Sequence, residues 1–145
     1  GKEGSQYIVP TNTPLYKDGR IFTANGYGAG AFMLQLNEDA SGVRLLWRNK
    51  GFDPHHGCFV LVDGIIYGSS HGRNGLGKWM AVDWNTGRTR FEMNWGKGVG
   101  EGSVIAADGM LYCSDERRGM VVLPLPLLPR RVMSFFMWCA PLRFF

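Results

Sequence analysis

One seven-residue phrase occurs three times in this 145-residue chain, and its spacing restricts the fold more than any other feature. The sequence reads KDGRIFT at residues 17–23, VDGIIYG at 62–68 and ADGMLYC at 107–113. A constant interval of 45 residues separates the aspartates of these phrases, and the same interval separates three aromatic residues: Phe22, Tyr67 and Tyr112. Repeats of this length are typical of solenoids and β-propellers, in which each repeat is one structural unit.

Each phrase contains an Asp-Gly pair, which predicts a tight β-hairpin turn. The three pairs are Asp18-Gly19, Asp63-Gly64 and Asp108-Gly109. In the second repeat the pair separates the apolar runs CFVLV and IIYGSS. A two-residue type I′ turn requires positive φ at both central residues, a conformation that Asp and Gly tolerate. We therefore interpret these six residues as structural turn residues and not as catalytic groups.

A second pair of runs follows each hairpin. Residues 78–83 and 88–95 are joined by a turn that contains Asp83, Thr86 and Gly87. Residues 32–36 and 43–47 form the corresponding pair of the first repeat. Four short strands with their turns fill a repeat of this length, which is the construction of an antiparallel propeller blade. No stretch before residue 120 shows an apolar period of 3.6 residues with helix caps.

These observations predict an all-β fold made of antiparallel four-stranded blades of a β-propeller, followed by an irregular C-terminal tail. The propeller part covers residues 1–123, with repeats at about 10–54, 55–99 and 100–123. This is about two and a half blades, whereas closed propellers typically have about four to eight. We therefore expect the chain to be a fragment, with the missing blades of a parent chain as partners.

The tail, residues 124–145, differs from the repeats because it has four of the seven prolines and neither glycine nor acidic residues. A membrane span is not predicted, because the apolar run 132–140 is shorter than the roughly 20 residues that a spanning helix needs. A partner-binding tail and a reading frame lost near Leu123 remain as interpretations, and we favour the second. Reading the other two frames of the coding DNA past codon 123 tests it.

Charge excludes one class of partner. The formal net charge is +4, but three of the basic residues lie in the tail, so residues 1–123 carry a net charge of only +1. A nearly neutral body has no basic surface for a polyanion, and we expect no nucleic-acid partner.

The three cysteines, Cys58, Cys113 and Cys139, lack the spacing of metal ligands, so no metal site is predicted. We expect inert strand cysteines, with a disulfide as the alternative. The first ten residues contain no apolar stretch of a signal peptide.

Two glycine-rich strings imitate nucleotide-binding loops. Residues 72–78 match GxxxxGK, but Trp79 occupies the position of the hydroxyl residue that would contact Mg²⁺. Residues 26–31 match GxGxxA after a strand, but no crossover helix follows. Both strings are interpreted as loops between strands.

Histidines and one arginine are the candidate ligand- or partner-facing residues: His55, His56, His71 and Arg73. The adjacent histidines at 55 and 56 would point to opposite sides of an extended chain, so a shared metal ion would need a bend there, which Pro54 favours. Loop histidines that hydrogen-bond between blades are the other interpretation.

The pattern apolar-x-Asp-x-x-Thr-Gly-x-x-x-aromatic, here Val82 to Phe91, resembles the repeat of the pyrroloquinoline-quinone (PQQ)-like β-propellers. That superfamily includes quinoprotein alcohol dehydrogenases and a non-enzymatic outer-membrane assembly lipoprotein. The run from His55-His56-Gly57 through GKWMAVDWNTG to ADGMLYC is similar to bacterial PQQ-binding-like repeat proteins, many of them exported. The resemblance covers about residues 10–123 and implies a periplasmic or otherwise exported protein. It also implies that Trp47 and Phe91 dock one blade on the next.

Two functions follow from the resemblance. The first is a non-catalytic binding or scaffold module that presents loops to a protein, peptide or glycan and needs no cofactor. The alternative is part of a PQQ-dependent alcohol dehydrogenase with PQQ and calcium. Such enzymes typically have an adjacent cysteine pair and a Glu/Asn/Asp calcium set, whereas this chain has no adjacent cysteines, and Glu101 is the only acid near a glycine-rich blade start. The residues favour the first function, and no catalytic residue is assigned; a fragment without activity of its own is a third outcome.

Overall fold

The computed structural model describes residues 11–71, 77–93, 101–115 and 119–125, and these residues form strands, turns and loops without a helix. The eleven strands are β1 Leu15–Lys17, β2 Arg20–Ala24, β3 Ala31–Leu36, β4 Val43–Asn49, β5 Phe59–Val62, β6 Ile65–Ser70, β7 Lys78–Asp83, β8 Thr89–Met93, β9 Gly102–Ala107, β10 Met110–Asp115 and β11 Gly119–Pro124. No helix among the described residues is long and apolar enough to cross a bilayer.

The strands form three antiparallel sheets that follow one another along the chain. The first sheet has the order β1-β2-β3-β4, the second β5-β6-β7-β8 and the third β9-β10-β11. Within each sheet every strand pairs with its neighbours in sequence, as in propeller blades, and the predicted all-β antiparallel fold is confirmed. Two sheets have four strands and the third has three, where the sequence predicted about two and a half blades. The described sheets do not close into a ring.

The three Asp-Gly pairs form the turns β1–β2, β5–β6 and β9–β10. The φ angles are 50° and 72° at Asp18 and Gly19, 48° and 76° at the second pair, and 50° and 70° at the third. Both central residues of each turn therefore have the positive φ that a type I′ turn requires. The third hairpin also holds the end of β11, because the Leu125 amide donates a 2.8 Å hydrogen bond to the Gly109 carbonyl.

The β7–β8 turn is organised by the carboxylate of Asp83. Its Oδ1 accepts hydrogen bonds from the Thr86 amide (2.8 Å) and hydroxyl (2.9 Å), and its Oδ2 accepts one from Arg90 Nη2 (2.8 Å). The pKa of Asp83 is lowered to about 2, mainly by the hydrogen bond from the Arg90 guanidinium and also by those from the Thr86 amide and hydroxyl. This aspartate is a turn-forming group, in keeping with its position in the sequence pattern.

Each sheet has two faces, which we name by their direction along the chain. The leading face points toward the next sheet, and the trailing face points toward the preceding one. Residues directly opposite each other on antiparallel strands share a face. Across the first sheet such a row forms the centre of the leading face: Leu15, Phe22, Met33 and Trp47. The row packs in one core cluster with the trailing face of the second sheet, which contributes Phe59, Ile66 and Val82.

The second and third sheets meet in the same way. The leading row of the second sheet consists of Val60, Tyr67, Ala81 and Phe91. It packs in a second core cluster with the trailing face of the third sheet, which contributes Val104, Leu111 and Leu123. Phe22 and Tyr67 are thus core residues between sheets, with 0% and 3% of their surface exposed. Residues of the repeated phrase therefore form both a hairpin turn and part of the interface between neighbouring sheets.

Candidate ligand-facing cleft at the loop end of the blades

The antiparallel order places the connections of the sheets at two opposite ends. The Asp-Gly turns and the β3–β4 and β7–β8 turns lie at one end, which we call the turn end. The connections at residues 25–30 and 50–58 lie at the opposite end, which we call the loop end. The predicted histidines belong to the loop end. Asp18, Asp63, Asp83 and Asp108 all lie at the turn end, with their turns.

The carboxylate of Asp53 joins two loops at the loop end. Its Oδ2 accepts a 2.7 Å hydrogen bond from the Gly28 amide, and its Oδ1 accepts a 2.7 Å bond from the Gly30 amide. The side chain is buried, with 7% of the residue exposed. The string GxGxxA at 26–31 is therefore a loop, as predicted. Two of its amides donate hydrogen bonds to an anionic group, which is the carboxylate of Asp53 in the same chain.

Asn12 fixes the next part of the same connection. Its Nδ2 donates to the carbonyl oxygens of Pro54 (3.0 Å) and His55 (3.1 Å), and its Oδ1 accepts a 3.2 Å bond from the Cys58 amide. The Thr11 hydroxyl also donates to the His55 carbonyl. One buried amide side chain thus holds both ends of the 54–58 segment.

The two adjacent histidines lie against each other and not on opposite sides of the chain. The backbone bends at residues 55–57, directly after Pro54, and the ring centroids of His55 and His56 are 3.5 Å apart. This differs from the arrangement expected for an extended chain, because the bend removes the alternation of side chains. His55 is buried and His56 is exposed.

Rings from the first and second sheets surround His55. Its centroid lies 4.1 Å from that of Tyr27, in the β2–β3 loop, and 5.3 Å from that of His71, which follows β6. Tyr27 remains 43% exposed. The structure therefore brings together three of the four predicted ligand-facing residues, while Arg73 lies outside the described residues.

A polar cleft opens where the second sheet meets the third. His71 Nδ1 lies 3.3 Å from Glu101 Oε1, which makes an ion pair whenever the imidazole is protonated. The two side chains are 34% and 19% exposed. The cleft has a volume of about 200 Å³ and is lined by His55, His56, Gly57, Ser69, His71, Glu101 and Gly102.

The floor of the cleft is a close contact between backbone segments. The Ser69 hydroxyl donates a 2.8 Å hydrogen bond to the Gly102 carbonyl. A Cβ added to Gly57 would collide with that same carbonyl oxygen and with Ser69 Oγ. Only glycine at position 57 lets the loop before β5 lie against the start of β9, so this residue sets the width of the cleft.

The donor set of the cleft suits hydrogen bonding more than metal binding. Each imidazole can donate and accept, the glutamate accepts, and the serine does both. No group of three or more His, Cys, Asp or Glu side chains converges in a way that could hold a metal ion among the described residues. Glu101 is the only carboxylate in the lining, whereas Ca²⁺ takes about 6–8 oxygen ligands. The described residues therefore do not fit a calcium site.

The cysteines of the described residues do not form a pair. Cys58 is exposed and lies in the loop end, while Cys113 is buried between the second and third sheets. Burial raises the pKa of the Cys113 thiol to about 12. The third cysteine, Cys139, lies outside the described residues. An adjacent cysteine pair of the quinoprotein kind is therefore not formed by Cys58 and Cys113.

Sequence reasoning named the histidines but did not identify the groups that hold them. Asp53 and Asn12 fix the loop, and Tyr27 completes the ring cluster. Asp53 had one local signal, its place directly before Pro54 and the two histidines at the start of the second repeat. No local sequence signal indicated Tyr27 or Asn12, since their contacts join segments about 30 to 45 residues apart.

No family model matches this sequence, and no curated protein matches it. Among solved structures, the fold is similar to a europium-containing methanol dehydrogenase, a β-propeller protein, with a TM-score of 0.56 and 14% sequence identity. The alignment covers 82% of this chain and 22% of that chain. This chain thus spans about a fifth of the protein that it matches, and the likeness shows a propeller-like fold.

Proposed function

We propose that this chain is part of an exported β-propeller of the PQQ-like repeat type and acts as a non-catalytic binding or scaffold module. Its binding surface is the loop end. The observation that carries the proposal is the cleft between the second and third sheets, where His56, His71 and Glu101 face a volume of about 200 Å³. At the turn end, polar side chains of the β3–β4 and β7–β8 turns form hydrogen bonds within their own turns, as at Asp39 and Asp83.

The cleft suits a polar ligand that has one apolar side. Imidazole, carboxylate and hydroxyl groups line the cavity, and the half-exposed ring of Tyr27 lies beside it, in contact with His55. Sugars and short peptides combine hydrogen-bonding groups with apolar faces that pack on aromatic rings. A glycan, a peptide or the loop of a protein partner is therefore the class of ligand that we propose.

Binding to oligosaccharide and peptide arrays, followed by titration of the best ligand, tests this proposal. Replacing His56 with Ala or Glu101 with Gln removes a group of the cleft, and we expect each change to weaken binding by tenfold or more, equivalent to about 1.4 kcal/mol. Glu38→Gln, at an exposed position of the turn end, is the matched control and should leave affinity unchanged. Absence of any ligand, or a ligand whose affinity depends on Glu38 and not on the cleft, would refute the proposal.

A dehydrogenase is the second candidate, because the fold resembles that of a methanol dehydrogenase. The described residues do not fit PQQ with calcium, since they contribute one carboxylate to the cleft and no adjacent cysteines. An active enzyme would need these groups from other blades. Titration of the full chain with PQQ and Ca²⁺, followed by dye-linked oxidation of methanol and ethanol, separates the two functions. Saturable PQQ binding with turnover would favour the enzyme over the scaffold.

Export is proposed on the resemblance of the repeats and on the fold. Cell fractionation of the source organism, with an antibody against this chain, tests it. We expect the protein in the periplasmic or secreted fraction, and detection in the cytoplasmic fraction alone would contradict the proposal.

A further inference from the structure

The carboxylate of Glu101, in the cleft between the second and third sheets, is largely removed from solvent. Its side chain is 19% exposed, and its Oε1 is buried and accepts no hydrogen bond from the described residues. His71 Nδ1 lies 3.3 Å from this oxygen without forming a hydrogen bond. Loss of water around a carboxylate is unfavourable unless a cation or hydrogen-bond donors replace it. A positive charge that enters the cleft therefore stabilises Glu101.

The other described groups of the lining do not supply this charge. The Ser69 hydroxyl already donates its proton to the Gly102 carbonyl, at 2.8 Å, so it cannot donate to Glu101 as well. No lysine or arginine lines the cleft among the residues that the structure describes. The histidines of the lining carry a charge only when they are protonated. When the imidazoles are neutral, the described lining thus carries one negative charge.

The cleft has the size of one side chain and not of a complete ligand. Its volume is about 200 Å³, whereas pockets for whole small molecules measure about 300–1,000 Å³. The ring of Tyr27 lies beside it, 43% exposed, with its centroid 6.1 Å from that of His71. Aromatic rings attract cations and also pack against apolar carbon chains. A carboxylate with such a ring nearby suits a charged group on an apolar stem.

From this combination we propose that the cleft binds the cationic side chain, lysine or arginine, of a peptide or protein ligand. This inference rests on the proposed function and selects one of its ligand classes. The ligand's cation pairs with Glu101 and supplies several hydrogen-bond donors, while its apolar stem packs beside Tyr27. A neutral oligosaccharide offers donors but not the charge that the carboxylate favours.

His71 competes with such a ligand for Glu101. When its imidazole is protonated, it forms the ion pair itself and repels a second cation. His71 also faces His55 and Tyr27, and His56 lies against His55, so protonation of either neighbouring histidine adds positive charge to the same cleft. We therefore expect the affinity for a cationic side chain to fall as the pH falls from about 8 to about 6.

Binding of the full chain to two sets of probes tests this inference. The first set consists of peptides with the same flanking sequences and lysine, arginine, glutamine or glutamate at one central position; the second consists of neutral oligosaccharides. At pH 8, calorimetry should show that the lysine or arginine peptide binds at least about tenfold more tightly than the glutamine peptide, because hydrogen bonds between charged groups are the stronger ones. Glu101→Gln should remove this preference, and Glu101→Lys should transfer it to the glutamate peptide. Glu38→Gln, in the exposed β3–β4 turn, is the matched control and should retain it.

The pH dependence of the unmodified chain tests the same point without any substitution. Tighter binding of the lysine peptide at pH 8 than at pH 6 is expected, and His71→Gln should reduce the difference. Circular dichroism verifies that each variant is folded.

Three results would overturn the inference: equal affinity for the glutamine and the cationic peptides, a charge preference that survives Glu101→Gln, or affinity that does not change between the two pH values. Oligosaccharide binding that depends on His56, without peptide binding, would also overturn it but would leave the proposed binding module intact. Absence of binding by every probe of both sets would overturn the proposed function as well.

Discussion

The indole Nε1 of Trp47 donates a 3.1 Å hydrogen bond to the backbone carbonyl of Trp84, and so joins the outer strand of the first sheet to the β7–β8 turn of the second. The same ring lies against Gly87, where φ is 69° and an added Cβ would lie 2.5 Å from ring atoms. The aromatic residue of the preceding blade therefore packs against the Thr-Gly turn. This contact explains why the sequence pattern contains both a glycine and an aromatic residue.

Two substitutions at Trp47 separate its hydrogen bond from its packing. Trp47→Phe removes the bond to Trp84 and retains most of the ring, so we expect a loss of about 1 kcal/mol in the free energy of unfolding. Trp47→Ala also removes the packing and should cost about 3 kcal/mol. Urea denaturation measures both losses. Equal losses for the two variants would show that the ring does not pack between the sheets.

Phe91 is the corresponding aromatic residue of the second blade. It is partly buried and packs against the core cluster that joins the second and third sheets. Because its burial is incomplete, we expect Phe91→Ala to reduce the free energy of unfolding by about 2 kcal/mol. Arg88→Ala, at the exposed position just before the same strand, is the control and should change it by less than about 0.5 kcal/mol. A loss at Phe91 as small as that of the control would contradict its docking role.

Replacing Asp53 tests the carboxylate that holds the β2–β3 loop. Asp53→Ala removes the acceptor of the partly buried Gly28 amide bond and of the buried Gly30 amide bond, and we expect a loss of about 3 kcal/mol. Hydrogen exchange should show faster exchange at these two amides. Glu38→Ala removes an exposed turn carboxylate and should have little effect on stability. Unchanged exchange at Gly28 and Gly30 would show that Asp53 does not bind them in solution.

Acid titration should reveal the contribution of Asp83. Its pKa falls from an ordinary 3.8 to about 2, with the Arg90 hydrogen bond as the largest cause. A carboxyl group with a lowered pKa in the folded state stabilises the fold above its unfolded pKa, and this stability is lost as the pH falls through the folded pKa. We expect about 1 kcal/mol, since Arg90 is more than half exposed and solvent screens the pair.

The measurement for Asp83 is the free energy of unfolding as a function of pH. The unmodified chain should lose this contribution between about pH 4 and pH 2, and Asp83→Asn should show a shallower dependence over the same interval. Glu38→Gln, at an exposed position of the β3–β4 turn, serves as the comparison. A parallel pH dependence for the chain and for Asp83→Asn would contradict the assignment.

The two described cysteines should differ in reactivity. Cys113 is 1% exposed and its pKa is raised to about 12, so almost none of it is thiolate at neutral pH. Cys58 is exposed. Brief alkylation with iodoacetamide at pH 8, followed by peptide mass spectrometry, should label Cys58 first and Cys113 only after unfolding. Rapid labelling of Cys113 in the native chain would indicate that the second and third sheets separate readily.

The turns and the faces of the sheets could be predicted from the sequence, because they depend on neighbouring residues. A type I′ turn depends on two positive φ angles. The pairs Asp18-Gly19 and Asp63-Gly64 adopt such angles, and both residues of each pair are adjacent in the sequence. The interval between Phe22 and Tyr67 likewise indicates that these two residues occupy equivalent positions in successive sheets.

The loop end could not be predicted in the same way. The rings of His55 and His56 meet because the chain bends after Pro54, and that bend is fixed by Asn12, more than 40 residues earlier. Side-chain bonds of this kind depend on which loops the completed fold brings together. The sequence indicated a set of histidines, whereas the shape of the cleft follows from the packing of three sheets.

The division of the molecule into a turn end and a loop end has a practical consequence for protein engineering. Links of two residues leave no room for added chain, because each one sets the register of its hairpin. The connection at 50–58 lies outside any strand ladder, but Asp53, Asn12 and Gly57 hold its buried residues in place. Varying its exposed residue His56 together with the exposed Tyr27 of the neighbouring loop would therefore change the binding surface while the framework of sheets stays constant, as variable loops do on an antibody domain.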